Sequence, residues 1–477
     1  MSTSVATGLT TPITTPITIS EAALALRDGS VTSVQLTEAA IAKADSFDAD
    51  LGTFLLRFEQ QSLAAAMLAD DELSAGFDRG PLQGIPLGIK DIITAKEGPT
   101  TAQSLVHDPG WNPRDAVVVA RLREAGGIVM GKTSTMEFAA ANPDAQKPFP
   151  LPRNPWDRRT WPGGSSSGTG SGVAAGMFLG GLGTDTGGSI RIPSAFCGIT
   201  GLMPTFGRVP KSGCVPLGYS LDHIGPMARS ARDCALMLSV LAGHDPSCTG
   251  SVEVAVPNYT AGLTGDLTGL RIGVDFLQRA ATPADDANVQ PMIEAVAARL
   301  ESLGADVVEV QVPHYEMAMA ILLSICGGEM FAYHAPDARS RLADYFAGNR
   351  RQLASAAFCS GADYVQAQRA RRVLQKDLAA LYDDVDLILT PTLAIGAISH
   401  DVLGPDLGAW FAQLHTPYWD ATGNPVISIP AGFTASGLPL GVQFAGRPFE
   451  EGCVLNAADA YQRQTDWHLR LPPLLTA

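Results

Sequence analysis

Short β-branched runs alternate with amphipathic helical stretches along the whole chain, and this alternation constrains the fold more than any other feature. QGIPLGIKDII (83–93) reads as a strand and its exit. AVVVARLREAGGIVMGKTS (116–134) reads as a helix, a glycine turn and a strand, and RIGVDF (271–276) leads into the helix PMIEAVAARLESLGA and the strand DVVEVQV. DVDLILTPT (384–392), PVISIPAGF (425–433) and PLGVQFAG (439–446) are further strands, and a closing helix covers 454–464. Near the start, Ser20 reads as the cap of EAALALRDG, which stops at Gly29. A second helix follows Thr32, with Val34, Ala40, Ile41 and Ala44 at helical spacing. Strands fed by helices predict an α/β fold with helices covering the sheet.

With 477 residues, 46% apolar and 17% charged, the chain can bury a large core. The Thr/Pro-rich stretch 1–18 reads as a tail, without the basic and apolar regions of a signal peptide. One continuous domain over 19–472 follows. The net charge of −15 implies no basic surface to offset phosphate repulsion, so neither a nucleic acid nor an anionic membrane is expected as a partner. The most apolar run, VAAGMFLGGL (173–182), is too short to span a bilayer. Seven scattered cysteines without a C-x-x-C pair point to a reducing, cytoplasmic setting, and eight dispersed histidines suggest no metal site. No cofactor is expected.

Between Gly163 and Thr205 the chain reads GGSSSGTGSGVAAGMFLGGLGTDTGGSIRIPSAFCGITGLMPT. It is too rich in Ala, Val, Ile and Leu to be a linker. Three chemistries compete. Phosphate cradling lacks the G-x-G-x-x-G spacing and the P-loop lysine. A nucleophile elbow is met in composition by Gly164, Ser166 and Gly168, and it would need a downstream histidine such as His400 or His415. The third is a serine pair: Ser165 ends one Gly-Gly-Ser and Ser189 another, 24 residues apart. The backbone 185–189 can aim several N–H groups into one cavity, as an oxyanion hole does. That chemistry needs a base, and Lys90 lies in an apolar setting where desolvation would lower its pKa. The alternative for Lys90 is a surface charge paired with Asp91.

Taken together, this segment resembles the core of the amidase signature family, and GIPLGIKD resembles that family's lysine motif. GKTSTMEFA (131–139), RNPWD (153–157), SLDHIGPMARSARD (220–233) and GNPVISIPAGFTASGLPLGVQFAGRPFEE (423–451) resemble further blocks. The resemblance implies a single large α/β/α domain with a mixed, twisted central sheet covered by helices. It implies a Ser-cisSer-Lys triad: Ser189 as nucleophile, Ser165 as the bridging serine after a cis bond, and Lys90 as base. The N–H groups of Thr186, Gly187, Gly188 and Ser189 would form the oxyanion hole. Ser166 would support the triad, and Asp185 and Arg191 would frame the loop as an ion pair. Ser167 stands where the family usually has glycine. The expected pocket walls are 139–142, 324–334 and 414–423, offering Ala139, Ala140, Met330, Phe331, Tyr333, Tyr418 and Trp419. The implied activity is hydrolysis of a small carboxamide, anilide or hydrazide, with a homodimer as the assembly considered and the oligomeric state left open. The alternatives are the glutamine-amidase subunit of a tRNA-dependent amidotransferase and a G-x-S-x-G esterase.

Overall fold

The computed structural model describes residues 17–403 and 408–475, so most of the Thr/Pro-rich tail lies outside the described residues. Its strands are β1 (Phe54–Arg57), β2 (Pro86–Lys90), β3 (Ile128–Thr133), β4 (Gly180–Asp185), β5 (Thr200–Met203) and β6 (His223–Ala228). They continue with β7 (Arg271–Val274), β8 (Asp306–Glu309), β9 (Leu387–Pro391), β10 (Val426–Phe433) and β11 (Pro439–Gly446). All eleven join one mixed sheet in the order β1-β3-β2-β4-β6-β5-β10-β11-β9-β7-β8. β2 runs parallel to both β3 and β4, whereas β4, β6, β5, β10, β11 and β9 are linked by antiparallel pairs. Helices cover the sheet, the architecture that the alternation of elements predicts.

Every strand named from the sequence falls where the β-branched runs place it, within a few residues at each end. The first helix, Ile19–Asp28, starts two residues earlier than expected. Its cap is Thr18, which accepts from the Glu21 N–H in a capping box, not Ser20. Ser20 instead donates from N–H and Oγ to Asp233. Gly29 ends the helix in the left-handed region, as expected.

The central strands are buried on both faces, which is why β2, β3, β4 and β6 show no exposed position. This puts the end of β2 and the end of β4 side by side in the dry middle of the molecule. The helix Ser167–Ala175 packs over them, and the helix Arg191–Cys197 packs beside it on β5, β10 and β11. A separate group of helices, Ala318–Arg341, Ala347–Ala356 and Gly361–Leu381, packs together and faces the loop after β4 across a cavity. The stretch Tyr315–Asp344 is long and apolar enough to cross a membrane, with mean hydropathy 1.3 over its best window and 33% of that window buried. Its inner face, Ile321, Leu322 and Ile325, packs into a core shared with Tyr418 and Trp419.

Candidate active site

Lys90 is the last residue of β2 and has no exposed surface. Successive strand side chains point to opposite faces, so Lys90 and Asp91 diverge. Asp91 pairs with Lys132 at 2.8 Å and accepts from the N–H and Oγ1 of Thr101 at 3.0 and 2.5 Å. The surface pairing of Lys90 with Asp91 is therefore not what forms. Lys90 Nζ instead donates to Ser165 Oγ and Thr184 Oγ1, both at 2.7 Å. Burial lowers its pKa to about 7, against a smaller upward pull from Cys214, Asp185 and Asp222.

Ser165 follows a cis peptide bond from Gly164, as the resemblance implies. Its carbonyl accepts from Thr135 Oγ1 at 2.9 Å and the Met136 N–H at 3.2 Å. A side chain at Gly164 would come within 2.6 Å of Met136 and Trp161, so only glycine fits. The three serines divide the work. Ser165 meets Lys90. Ser166 Oγ is engaged with the backbone of Thr184, and its N–H donates to the Ser189 carbonyl at 3.2 Å. Ser167, the departure from the family pattern, has a buried hydroxyl without a partner among the described residues. The elbow reading of Gly164–Ser166–Gly168 thus meets a serine tied to backbone, and neither His400 nor His415 lines the cavity described below. His415 Nδ1 pairs with the Tyr315 hydroxyl at 2.6 Å.

Ser189 and Gly187 line that cavity from the loop after β4. The loop is clamped at four points. Thr186 Oγ1 donates to Asp222 at 2.6 Å, and the Gly187 carbonyl accepts from Thr416 Oγ1 at 2.7 Å. The N–H groups of Gly188 and Ile190 donate to the Asp185 carboxylate at 2.5 and 3.1 Å. The expectation that Gly188 contributes to an oxyanion hole is corrected here, because its N–H is spent on Asp185. Gly188 sits at φ +126°, and an added Cβ would collide with Thr416 at 2.2 Å. Asp185 and Arg191 form the expected ion pair at 3.0 Å, both fully buried. Burial alone would raise Asp185, but the adjoining Arg191 guanidinium holds it at about 2.

Two partners escaped the sequence reading. Thr184, the second acceptor of Lys90, is one of many strand threonines and carries no local signal. Asp420, within PYWDATG, pairs with Arg191 at 2.5 Å. An acidic residue in a largely apolar run was its one visible trace. His223 is buried and lowered to about 3 by desolvation, with Nδ1 near the Asp185 carbonyl at 3.3 Å. It has the local, structural environment expected of it. Cys197 is buried with its thiol pushed far up, which makes it inert.

The cavity measures about 850 Å³. Ala139, Ala140 and Met330 line it as expected, together with Met136, Leu322 and Trp410. Glu137, fully buried, fixes the Ala139 wall by accepting from the N–H of Phe346 and from Asn349 Nδ2. Four expected wall residues do not line it, and the first of them, Phe331, packs half-buried against the main core instead. Tyr418 and Trp419 are each 1% exposed and belong to the core behind the helix Ala318–Arg341. Tyr333 is 39% exposed and packs edge-on against Phe138 and His334. Its polar lining on the outer helices is Ser324, Arg351, Gln352, Ser355 and Asp363, opposite Thr186 and Ser189.

Residues 35–455 match the family described as Amidase. The glutamyl-tRNA(Gln) amidotransferase A subunit of Chloroflexus aggregans is 38% identical, over 96% of this chain and 99% of its own. The protein of the same name in a Roseiflexus species is 39% identical, over 96% and 98%. Native peptide amidase from Stenotrophomonas maltophilia superposes with a TM-score of 0.81 at 28% identity, over 96% of this chain and 99% of that one. The names of the first two agree with the glutamine-amidase alternative better than with a small-carboxamide amidase. They also overturn the expectation of no nucleic-acid partner, since both are subunits named for work on a transfer RNA. The physical error was to average charge. The stretch 318–381 carries eight Lys/Arg against five Asp/Glu in a chain of net −15, and a subunit's total charge does not describe the assembly that contains it. An apolar-walled cavity beside a buried lysine and two serines, in a chain matched to these relatives over nearly its whole length, makes this protein a member of the amidase signature family, enzymes that act on amide C–N bonds.

Proposed function

We propose that this enzyme hydrolyses a carboxamide through an acyl-Ser189 intermediate and releases ammonia. The observation that carries the reading is Lys90, a fully buried amine bonded to two hydroxyls and lowered to about 7 by burial. About half of such amines are neutral at pH 7. An ammonium has three N–H donors and meets two acceptors here. The neutral amine gives an N–H to Thr184 and keeps its lone pair for the Ser165 O–H. Ser165 in turn accepts the Ser189 proton as Ser189 attacks the carbonyl carbon. Backbone N–H groups of the loop, without that of Gly188, face the developing oxyanion. The proton returns along the relay to the departing nitrogen. Water then repeats the path and frees the acid.

Two acyl groups are each supported by a separate observation. The relatives at 38% and 39% identity support the side-chain amide of glutamine, with this chain acting as the ammonia-releasing subunit of a tRNA-dependent amidotransferase. Arg351 suits that substrate. It lies at the cavity rim with no hydrogen bond or ion pair among the described residues, a cation available to an α-carboxylate. The apolar walls of Met136, Leu322, Met330 and Trp410 support an uncharged alkyl or aryl acyl group instead.

A serine-directed fluorophosphonate tests the reaction and an amide panel tests the substrate. Label is expected on Ser189 by mass spectrometry and absent in Ser189→Ala. Glutamine turnover that rises when partner subunits and glutamyl-tRNA are added would select the first acyl group. Benzamide turnover by the chain alone, with glutamine inert under both conditions, would select the second. Label on any residue other than Ser189 would remove the mechanism.

A further inference from the structure

Behind the loop that carries Ser189 lie two carboxylates and one guanidinium, all three without exposed surface. Arg191 Nε and Nη2 donate to Asp185 at 3.0 and 3.2 Å. Nη2 also donates to Asp420 Oδ2 at 2.5 Å. Nη1 donates to the Thr416 carbonyl at 3.0 Å and to Gln443 Oε1 at 3.1 Å. The guanidinium is thereby used up. The next cation, Arg371, donates to the Ala421 carbonyl at 2.7 Å and to Ser220, not to Asp420. His223, on the far side of Asp185, is neutral.

The two carboxyl groups are in very different company. Asp185 accepts from the N–H groups of Gly188, Ile190 and Arg191 as well as from the guanidinium. Asp420 Oδ1 is buried and receives no hydrogen bond from a described donor. Two anions against one cation leave a net negative charge at a fully buried site, and such a charge is removed most cheaply by a proton. The proton belongs on the carboxyl with fewer donors. A protonated carboxyl gains an O–H to donate, and Asp185 is within hydrogen-bonding reach of Asp420.

We infer that Asp420 is held as the neutral acid and is a positioning residue for Ser189: its O–H donates to Asp185, and ionised Asp185 fixes the N–H groups that set the shape of the nucleophile loop. The inference rests on the reading of Ser189 as the nucleophile. Asp420 also sits on the short helix Pro417–Thr422, directly after Thr416, whose hydroxyl holds the Gly187 carbonyl. One side of the loop is thus fixed through a carboxylic acid and the other through a threonine. Asparagine can imitate the acid at this position, with an N–H toward Asp185 and a carbonyl toward Arg191. Alanine can do neither.

Infrared difference spectra of the full-length wild type against Asp420→Asn at pH 7 read the proton directly. The expected result is a protonated-carboxyl carbonyl stretch that is lost in the variant. A carboxylate band in its place would overturn the inference. The rate of fluorophosphonate labelling at Ser189 reads the positioning. Asp420→Asn is expected within about threefold of wild type and Asp420→Ala about 100-fold slower. Asparagine as slow as a folded alanine variant would also overturn it. Should Asp420→Ala fail to fold, the spectrum and the Asp420→Asn rate decide alone. A wild type that takes no label removes the Ser189 reading, while the spectrum still reports the Asp420 proton.

Discussion

The two sides of the cavity are built on opposite principles. On the side of β2 and β4, nearly every polar atom is buried and committed: Lys90 to Ser165 and Thr184, Asp185 to Arg191 and the loop N–H groups, Thr186 to Asp222. On the other side, the helices 318–381 present Leu323 at 46% and Phe358 at 87% exposure, and Arg351 has no partner among the described residues. A committed polar network has one arrangement, because each group left unpaired in a dry site is costly. An exposed apolar rim tolerates replacement at little cost. The proposed reaction therefore falls to the rigid half and the proposed choice of acyl group to the tolerant half.

Substitutions in the two halves should separate in kind as well as in size. Ser189→Ala is expected to lose turnover by at least about 10³-fold on every amide, measured by ammonia release. A residual rate near wild type would place the nucleophile elsewhere. Lys90→Met should lower kcat by about 10²–10⁴-fold on every amide. It should also stabilise the fold under acid conditions. Wild-type Lys90 has a folded pKa near 7, below the free-lysine value of about 10.4. The cost of burying it is fully present below pH 7 and fades as pH rises toward the free value. Melting temperatures at pH 6 and pH 10 check the sign: the gain from Lys90→Met must be larger at pH 6.

On the tolerant side the effects should be smaller and should depend on substrate. Arg351→Ala is expected to raise KM for glutamine by about tenfold and to leave benzamide nearly unchanged. Equal effects on both would mean that Arg351 supports the fold rather than the substrate. Leu322 faces Gly187 across the cavity, where a Cβ on Gly187 would stand 3.5 Å from it. Leu322→Ala should raise KM for aryl and alkyl amides by about tenfold or less, with kcat little altered. A large fall in kcat would show that the two halves are coupled through this contact.

The same contrast governs what the sequence reveals. Ser165 and Ser189 are legible because each follows a Gly-Gly pair, which marks backbone that must approach closely, and the family resemblance joins them to Lys90, a lysine conspicuous among apolar residues. β2, β3, β9, β10 and β11 are legible because their β-branched and apolar runs stand out, whereas β1 is only four residues long and β4, β5 and β6 lie in Gly- and Pro-containing stretches without that signal. Gly188's orientation is not legible, since a run of glycines does not say which N–H turns toward Asp185. Tyr418 and Trp419 are misplaced for a related reason. An aromatic in an apolar run looks the same whether it lines a cavity or packs behind it, and only the path of the helix Ala318–Arg341 decides. The Thr18–Glu21 capping box was present in the sequence, but Ser20 is an equally good capping residue type. Asp420 becomes visible only when residues 185 and 420 come together in space. Whole-chain charge, finally, hides local excess: the stretch 318–381 carries eight Lys/Arg against five Asp/Glu in a chain of net −15.

The central claim is that a neutral Lys90 starts the reaction. The pH dependence of Ser189 labelling by a fluorophosphonate tests it most directly, because that step needs the relay but no amide leaving group. The rate should rise with pH and level off through an inflection near 7, and Lys90→Ala should lose both the rate and the inflection. A profile flat from pH 5 to 9, or an inflection that survives in Lys90→Ala, would contradict the account.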